Sequence, residues 1–138
     1  MVSKQFPFKQ VSDENGSASF MPFLPLTLFH GSSELEVSGL LDTGATVNVI
    51  PYQIGLRLGA VWEEQTTSLR LSGNLANWEA RGLIVTAKVA DFKNVRLVFA
   101  WTISNEIPVI LGQVNFFMSF NVCFYREQLY FDIEQAAE

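Results

Sequence analysis

The sequence predicts an all-β, closed-barrel-like fold with one short C-terminal helix, and three observations predict it. Short apolar runs recur at regular spacing with Gly, Asn, Asp and Ser between them, the pattern of strands joined by tight turns. Those runs are rich in Val, Ile, Phe and Thr, residues that suit a pleated, half-buried surface. Helical spacing appears only in brief windows, at 52–58 and at 113–120, where Val114, Phe117 and Met118 share a face. With 138 residues and 49% of them hydrophobic, the chain has material for one core and one domain.

Taken in order, residues 1–19 read as a flexible N-terminal arm. They end in the polar tract Ser12-Asp13-Glu14-Asn15-Gly16-Ser17-Ala18-Ser19, which has no periodicity. The folded domain is expected over 20–138. Residues 20–30 are apolar, but Pro22 and Pro25 remove ladder donors and suggest an edge or an irregular strand entry. Gly31-Ser32-Ser33 turns the chain, and 35–41 return as a strand that delivers Asp42 at its end. The β-branched run 46–50 stops at Pro51, and the helical window 52–58 stops at Gly59. Alternation over 66–71, turn formers over 72–77 and a long strand over 78–89 describe a hairpin with a projecting tip. A turn at 91–94 leads to a strand over 95–103 that is apolar on both faces toward its end, and 107–112 follow as a last buried run. The chain closes as a hairpin, 121–124 against 129–133.

Charge and composition exclude several functions. A formal charge of -5 with scattered Lys and Arg provides no basic footprint for nucleic acid or an anionic membrane surface. No run approaches the roughly 20 apolar residues of a membrane span and no signal peptide is seen, so a cytoplasmic location is expected. Cys123 is the only cysteine, expected to be a buried, inert thiol, and His30 is the only histidine, expected in an exposed turn. One Cys and one His cannot supply a zinc ligand set, no Gly-x-Ser-x-Gly elbow supports a serine triad, and no Gly-rich phosphate loop is present. No metal and no cofactor are expected.

What remains is Asp42. An Asp-Thr-Gly triplet is ordinary turn chemistry on its own. Here it follows Leu40-Leu41 and precedes Ala45 and a β-branched strand, so the turn lies between two segments that must be buried. A carboxylate held there loses hydration, which is unfavourable unless it is used.

Two motifs in this order, Leu40-Leu41-Asp42-Thr43-Gly44-Ala45 followed by Val49-Ile50-Pro51, and Ile110-Leu111-Gly112 followed by Phe116-Phe117, make the chain resemble the retropepsin-like, retroviral-type aspartic proteases, with a free-standing bacterial-type member the expected kind. The resemblance spans about 20–133. It implies an aspartic endopeptidase acting on peptide or protein substrates as an obligate two-fold homodimer, because one Asp42 per chain is half a dyad. It further implies that Asp42 is catalytic and that Thr43 bonds across the axis. Gly44 and Ala45 would pass close to the dyad, and Ile110, Leu111 and Gly112 would pack beneath it. A substrate-binding flap would cover Ser72, Gly73, Asn74, Leu75, Ala76, Asn77 and Trp78. The dyad would share one proton, so activity is expected to peak at acidic to mildly acidic pH.

The sequence departs from retroviral relatives in two places. Only Gly73 relieves the flap tip, and Gln113 and Asn115 stand near the second motif where retroviral enzymes commonly carry a charge. Trp78 suits either a cleft wall or a hairpin anchor, while Leu111, Phe116 and Phe117 suit the core. The terminal segments, including 121–133, are the expected dimer interface. The alternatives are a non-catalytic peptide-binding or dimerisation module on the same fold, and a small-molecule-binding barrel.

Overall fold

In the computed structural model, residues 2–71, 75 and 77–136 are described. Among the described residues the strands are β1 Ser3–Pro7, β2 Lys9–Ser12, β3 Ala18–Met21, β4 Phe23–His30, β5 Ser33–Leu41, β6 Asn48–Ile50, β7 Ser68–Leu69, β8 Ala80–Lys88, β9 Val95–Thr102, β10 Val109–Leu111, β11 Phe120–Tyr125 and β12 Tyr130–Gln135. Among the same residues the α-helices are short, α1 Tyr52–Arg57 and α2 Phe116–Ser119, and Trp62–Glu64 form one 3₁₀ turn. Helix α2 begins three residues later than the 113–120 window suggests. Among the described residues, no helix is long and apolar enough to cross a membrane.

Strands β4-β5-β10-β6-β9-β8 run side by side, and β8 closes on β4 through Thr27↔Lys88, Leu28↔Ala87 and Phe29↔Thr86, making a six-stranded closed barrel. Side chains alternate between the two faces of its strands. Leu24, Leu26 and Leu28 of β4 and Leu83, Val85 and Ala87 of β8 point inward and are buried, while Thr27, Ile84 and Lys88 point out. Each such leucine contributes about 1.5–3 kcal/mol by leaving water. β4 is therefore a barrel strand with neighbours on both sides, not an edge. Its Pro25 is tolerated because the pairing to β8 begins only at Thr27.

α1 packs on the barrel strand β9. Gly55 sits directly on the Trp101 ring; a Cβ there would overlap ring atoms Cε2 and Nε1. Trp101 in turn stacks on Tyr52 at 5.6 Å, meets Trp62 edge-on at 5.2 Å, and donates its indole N–H to the Tyr52 carbonyl at 3.0 Å. Gly55→Ala should therefore lose about 1–3 kcal/mol, read as a lower urea midpoint, although alanine is the better helix former.

The N-terminal reading needs correction. Ser3–Pro7 and Lys9–Ser12 are strands, not a free arm: β1 pairs with β12 from Ser3↔Glu134 to Pro7↔Tyr130, and β2 pairs with β3. Phe8 is 8% exposed within the main core, and Phe6 stacks on Phe131 at 5.6 Å. The polar tract is only the hairpin turn, where Asp13 Oδ1 accepts the Asn15 and Ser17 N–H groups. Cys123 is exposed rather than buried, because β11 lies at the edge of the β1-β12-β11 sheet with this residue on its outer face. His30 is half-buried, its Nδ1 3.2 Å from the Leu58 carbonyl oxygen.

Candidate active site

Strand β5 ends at buried Leu41, and the chain turns at once. The Asp42 carbonyl accepts the Ala45 N–H at 3.1 Å, and Asp42 Oδ1 accepts the Gly44 N–H at 2.9 Å. An aspartate closes this turn with its own side chain, which is why the residue type suits the position structurally as well as chemically. Among the described residues, Oδ2 has no hydrogen-bond partner. A Cβ on Gly44 would come within 3.3 Å of Oδ1, so glycine keeps that oxygen accessible. Asp42 is half-buried, and Thr43 and Gly44 are exposed at the tip.

The second motif lies beneath this turn. β10 runs parallel to β5 with Leu111 level with Leu41, and antiparallel to β6 with Ile110 level with Val49. The Asp42 N–H donates to the Leu111 carbonyl at 3.0 Å. The chain then runs alongside 45–47: the Gln113 N–H bonds the Ala45 carbonyl and the Val114 N–H the Thr46 carbonyl, both at 2.9 Å. Gly112 is where the two segments press together, since a Cβ there would lie 2.6 Å from the Val47 oxygen and 2.8 Å from the Ala45 oxygen. Asp42, Thr43, Gly44, Ala45, Ile110, Leu111 and Gly112 are thus brought into one unit.

Three further residues serve this unit: Gln113 and Asn115, noted in the sequence only as departures, and Asn48, which motif reading missed. Gln113 Nε2 donates to the Thr43 carbonyl at 2.6 Å, a neutral side chain holding the tip of the turn. Asn48 Oδ1 accepts the Gly112 N–H at 2.8 Å, and Asn48 Nδ2 donates to Asn115 Oδ1 at 3.1 Å. A signal was available for Asn48, the lone amide in the apolar β-branched run 46–51.

Beside Asp42 opens a cleft of about 190 Å³, walled by Val47, Val49, Leu71, Leu75 and Ile110. Its floor is a small apolar cluster distinct from the main core, comprising Val49, Leu71, Ala80, Ala100 and Ile110. This cluster explains why β9 is apolar on both faces near its end: Phe99 and Trp101 face the main core while Ala100 faces the cleft side. A larger groove of about 570 Å³ lies elsewhere, on β4 and β5 near Glu34, Glu36 and Lys88, and does not include Asp42.

Of the expected flap, Ser72, Gly73, Asn74 and Ala76 fall outside the described residues. Leu75 reaches the cleft and packs on the apolar cluster. Trp78 donates its N–H to the Leu75 carbonyl at 3.0 Å but is 40% exposed and does not line the cleft, and Asn77 is exposed. The hairpin is clamped at its base by Arg81, which lies 4.5 Å over the Trp62 ring and donates to the Trp62 carbonyl at 2.7 Å.

No family model and no curated protein matches this sequence. Solved structures do. A retropepsin-like aspartic protease from Rickettsia conorii superposes with a TM-score of 0.62 at 14% identity, covering 99% of this chain and 95% of that one. EIAV protease complexed with the inhibitor HBY-793 aligns with a TM-score of 0.49 at 24% identity, over 75% of this chain and 88% of that one. With the Rickettsia structure matched along nearly its whole length, this chain has the retropepsin-like aspartic protease fold.

Proposed function

We propose that the chain is an aspartic endopeptidase, active as a homodimer in which Asp42 of each copy forms one dyad. One observation carries this reading: Asp42 sits on a turn fixed from beneath by 111–113, uses Oδ1 on Gly44, and borders an apolar cleft able to take a peptide side chain. Across a two-fold axis two such carboxylates share one proton, because like charges that close cannot both ionise. The ionised one takes a proton from a water as the water attacks the peptide carbonyl carbon. The protonated one gives its proton to the carbonyl oxygen. Collapse of the resulting diol returns a proton to the leaving nitrogen and breaks the C–N bond. Thr43, exposed at the tip, would bond across the axis, and Leu75 and its neighbours would close over substrate as the flap. Incubating the protein with a mixed peptide library over about pH 3–8, a span that brackets the carboxylate range, with and without a statine-type inhibitor, tests the reading. Inhibitor-sensitive cleavage supports it, and an inert protein contradicts it.

The edges of the terminal sheet support β11 as the dimer seam. β12 is paired on both sides, leaving β1 and β11 at the edges. β1 is guarded by Pro7 and by Lys4, which pairs with Asp91 at 3.3 Å. β11 contains neither proline nor a formal charge. A self-paired antiparallel strand keeps like faces together only when residues of the same parity oppose, so the axis passes through a residue. With the axis at Cys123, its Cβ atoms in the two copies would be about 5 Å apart. Short bismaleimides should then convert the dimer to a covalent species through Cys123, with none formed by Cys123→Ser. Unlinked dimer under conditions where the thiol is fully alkylated by a monofunctional maleimide would rule out this seam.

A further inference from the structure

We infer that Asn48 is a positioning residue for Asp42, acting through the main chain of Gly112; the inference rests on the peptidase reading above. Asn48 is 0% exposed, in a strand whose neighbours Val47 and Val49 belong to the cleft-side apolar cluster. An amide there is tolerated only if its polar atoms are satisfied. They are. Oδ1 accepts the Gly112 N–H at 2.8 Å, and Nδ2 donates to the Val98 carbonyl and to Asn115 Oδ1, each at 3.1 Å.

The partner Asn115 is committed to β9 in turn. Its Oδ1 accepts the Val98 N–H and its Nδ2 donates to the Arg96 carbonyl, both at 3.2 Å. The parallel pairing of β6 with β9 starts only at Phe99, so Arg96 and Val98 lie beyond it, and the two amides fill the gap a strand would fill. Asn48 thereby joins β6, the barrel strand β9 and the segment after β10 at one buried point.

What turns this strut into a positioning device is the location of Gly112. The residue before it, Leu111, holds the Asp42 N–H. The residue after it, Gln113, holds the Ala45 carbonyl by its main chain and the Thr43 carbonyl by its side chain. Leu111 and Gln113 therefore grip the Asp42 turn at three points, and Asn48 fixes Gly112, the residue between them. A shift of the Gly112 peptide would pass through Leu111 and Gln113 into the carboxylate's direction, while the walls Val49 and Ile110 keep their strand pairings.

The test uses Asn48→Leu, an apolar near-isostere that removes all three bonds, and Asn48→Asp, which keeps an acceptor for Gly112 but loses both donors. Asn115→Ala is the variant that leaves the Asn48 bond to Gly112 in place while removing the acceptor for Asn48 Nδ2 and both bonds to β9. Activity is normalised to folded protein by circular dichroism. Asn48→Leu should lower kcat by about 10–100-fold with KM within about threefold, the sign of misplaced reacting groups and not of lost binding. Asn48→Asp should recover part of that loss, and Asn115→Ala should lose less than either. Amide exchange supplies a readout independent of activity: the Gly112 and Asp42 N–H groups should exchange faster together in Asn48→Leu, while the Gly82 N–H, bonded to Thr67 at 2.8 Å, should not change. Unchanged kcat per folded molecule, a loss carried by KM, or unchanged exchange at Asp42 overturns the inference. If the unaltered protein cleaves nothing, the peptidase reading fails by itself, and the exchange arm still reports on the link from Asn48 to Asp42.

Discussion

Asp42→Asn is expected to remove peptide cleavage, by about 10⁴-fold or more, while the protein folds and dimerises as before. The two halves of that expectation have separate causes. The amide oxygen of asparagine can still accept the Gly44 N–H that Asp42 Oδ1 now accepts at 2.9 Å, and the main-chain bonds of the turn are untouched. Asp42 is half-buried and makes no salt bridge among the described residues, so the stability change should be small, within about 0.5 kcal/mol. Chemistry has no such tolerance. An amide neither takes a proton from water nor gives one to a carbonyl oxygen, so a dyad containing even one asparagine lacks either its base or its acid. Kinetics on a cleaved peptide, with a melting curve and sedimentation of the same sample, check both halves.

Gly112→Ala is expected to have the largest effect on the fold per atom added. The new methyl would lie 2.6 Å from the Val47 oxygen and 2.8 Å from the Ala45 oxygen. These are main-chain atoms of the segment that carries the Asp42 turn, and no side-chain rotation relieves the contact. The two segments must separate, which strains the bonds from Gln113 to Ala45 and from Val114 to Thr46. A loss of about 3 kcal/mol is expected, the upper end of ordinary overpacking, read as a shift in urea midpoint without change of slope. Activity per folded molecule should also fall about 100-fold, because a displacement approaching 1 Å at the carboxylate is enough to do so. Gly55→Ala, which strains a different wall of the barrel, should cost stability alone.

Local pattern carried much of this structure. The apolar run 20–30, the turn at Gly31 and the run ending in Leu40-Leu41 each act over a few residues, and they placed the β4–β5 hairpin and the end of β5 at Asp42. The approach of the second motif to the first was legible only through the resemblance, since nothing within 110–112 states what it packs beneath. Pairings between distant segments left no local mark. β1 finds β12 across almost the full chain, and its apolar anchors Phe6 and Phe8 are separated from the rest of the core by the polar stretch that made the region look detached. Cys123 was misread for a related reason. Val122 is partly buried against the core while Cys123 is exposed, and only the sheet order puts β11 at an edge. The closure of β4 on β8 likewise depends on barrel geometry, which two prolines near the start of β4 disguised. Asn48 was readable as an anomaly but not as a link, because its partners Val98, Gly112 and Asn115 lie 50 to 67 residues away.

The central claim is that one active site is built from two copies of Asp42, and mixing experiments address it directly. Unaltered protein and Asp42→Asn are combined in varied ratio at fixed total concentration, denatured and refolded together so that copies pair at random, and assayed for peptide cleavage. If each site needs an aspartate from both copies, activity follows the square of the unaltered fraction, so an equal mixture retains about a quarter. Activity that instead follows the fraction linearly, with an equal mixture retaining about half, would mean that each chain works alone and would contradict the account.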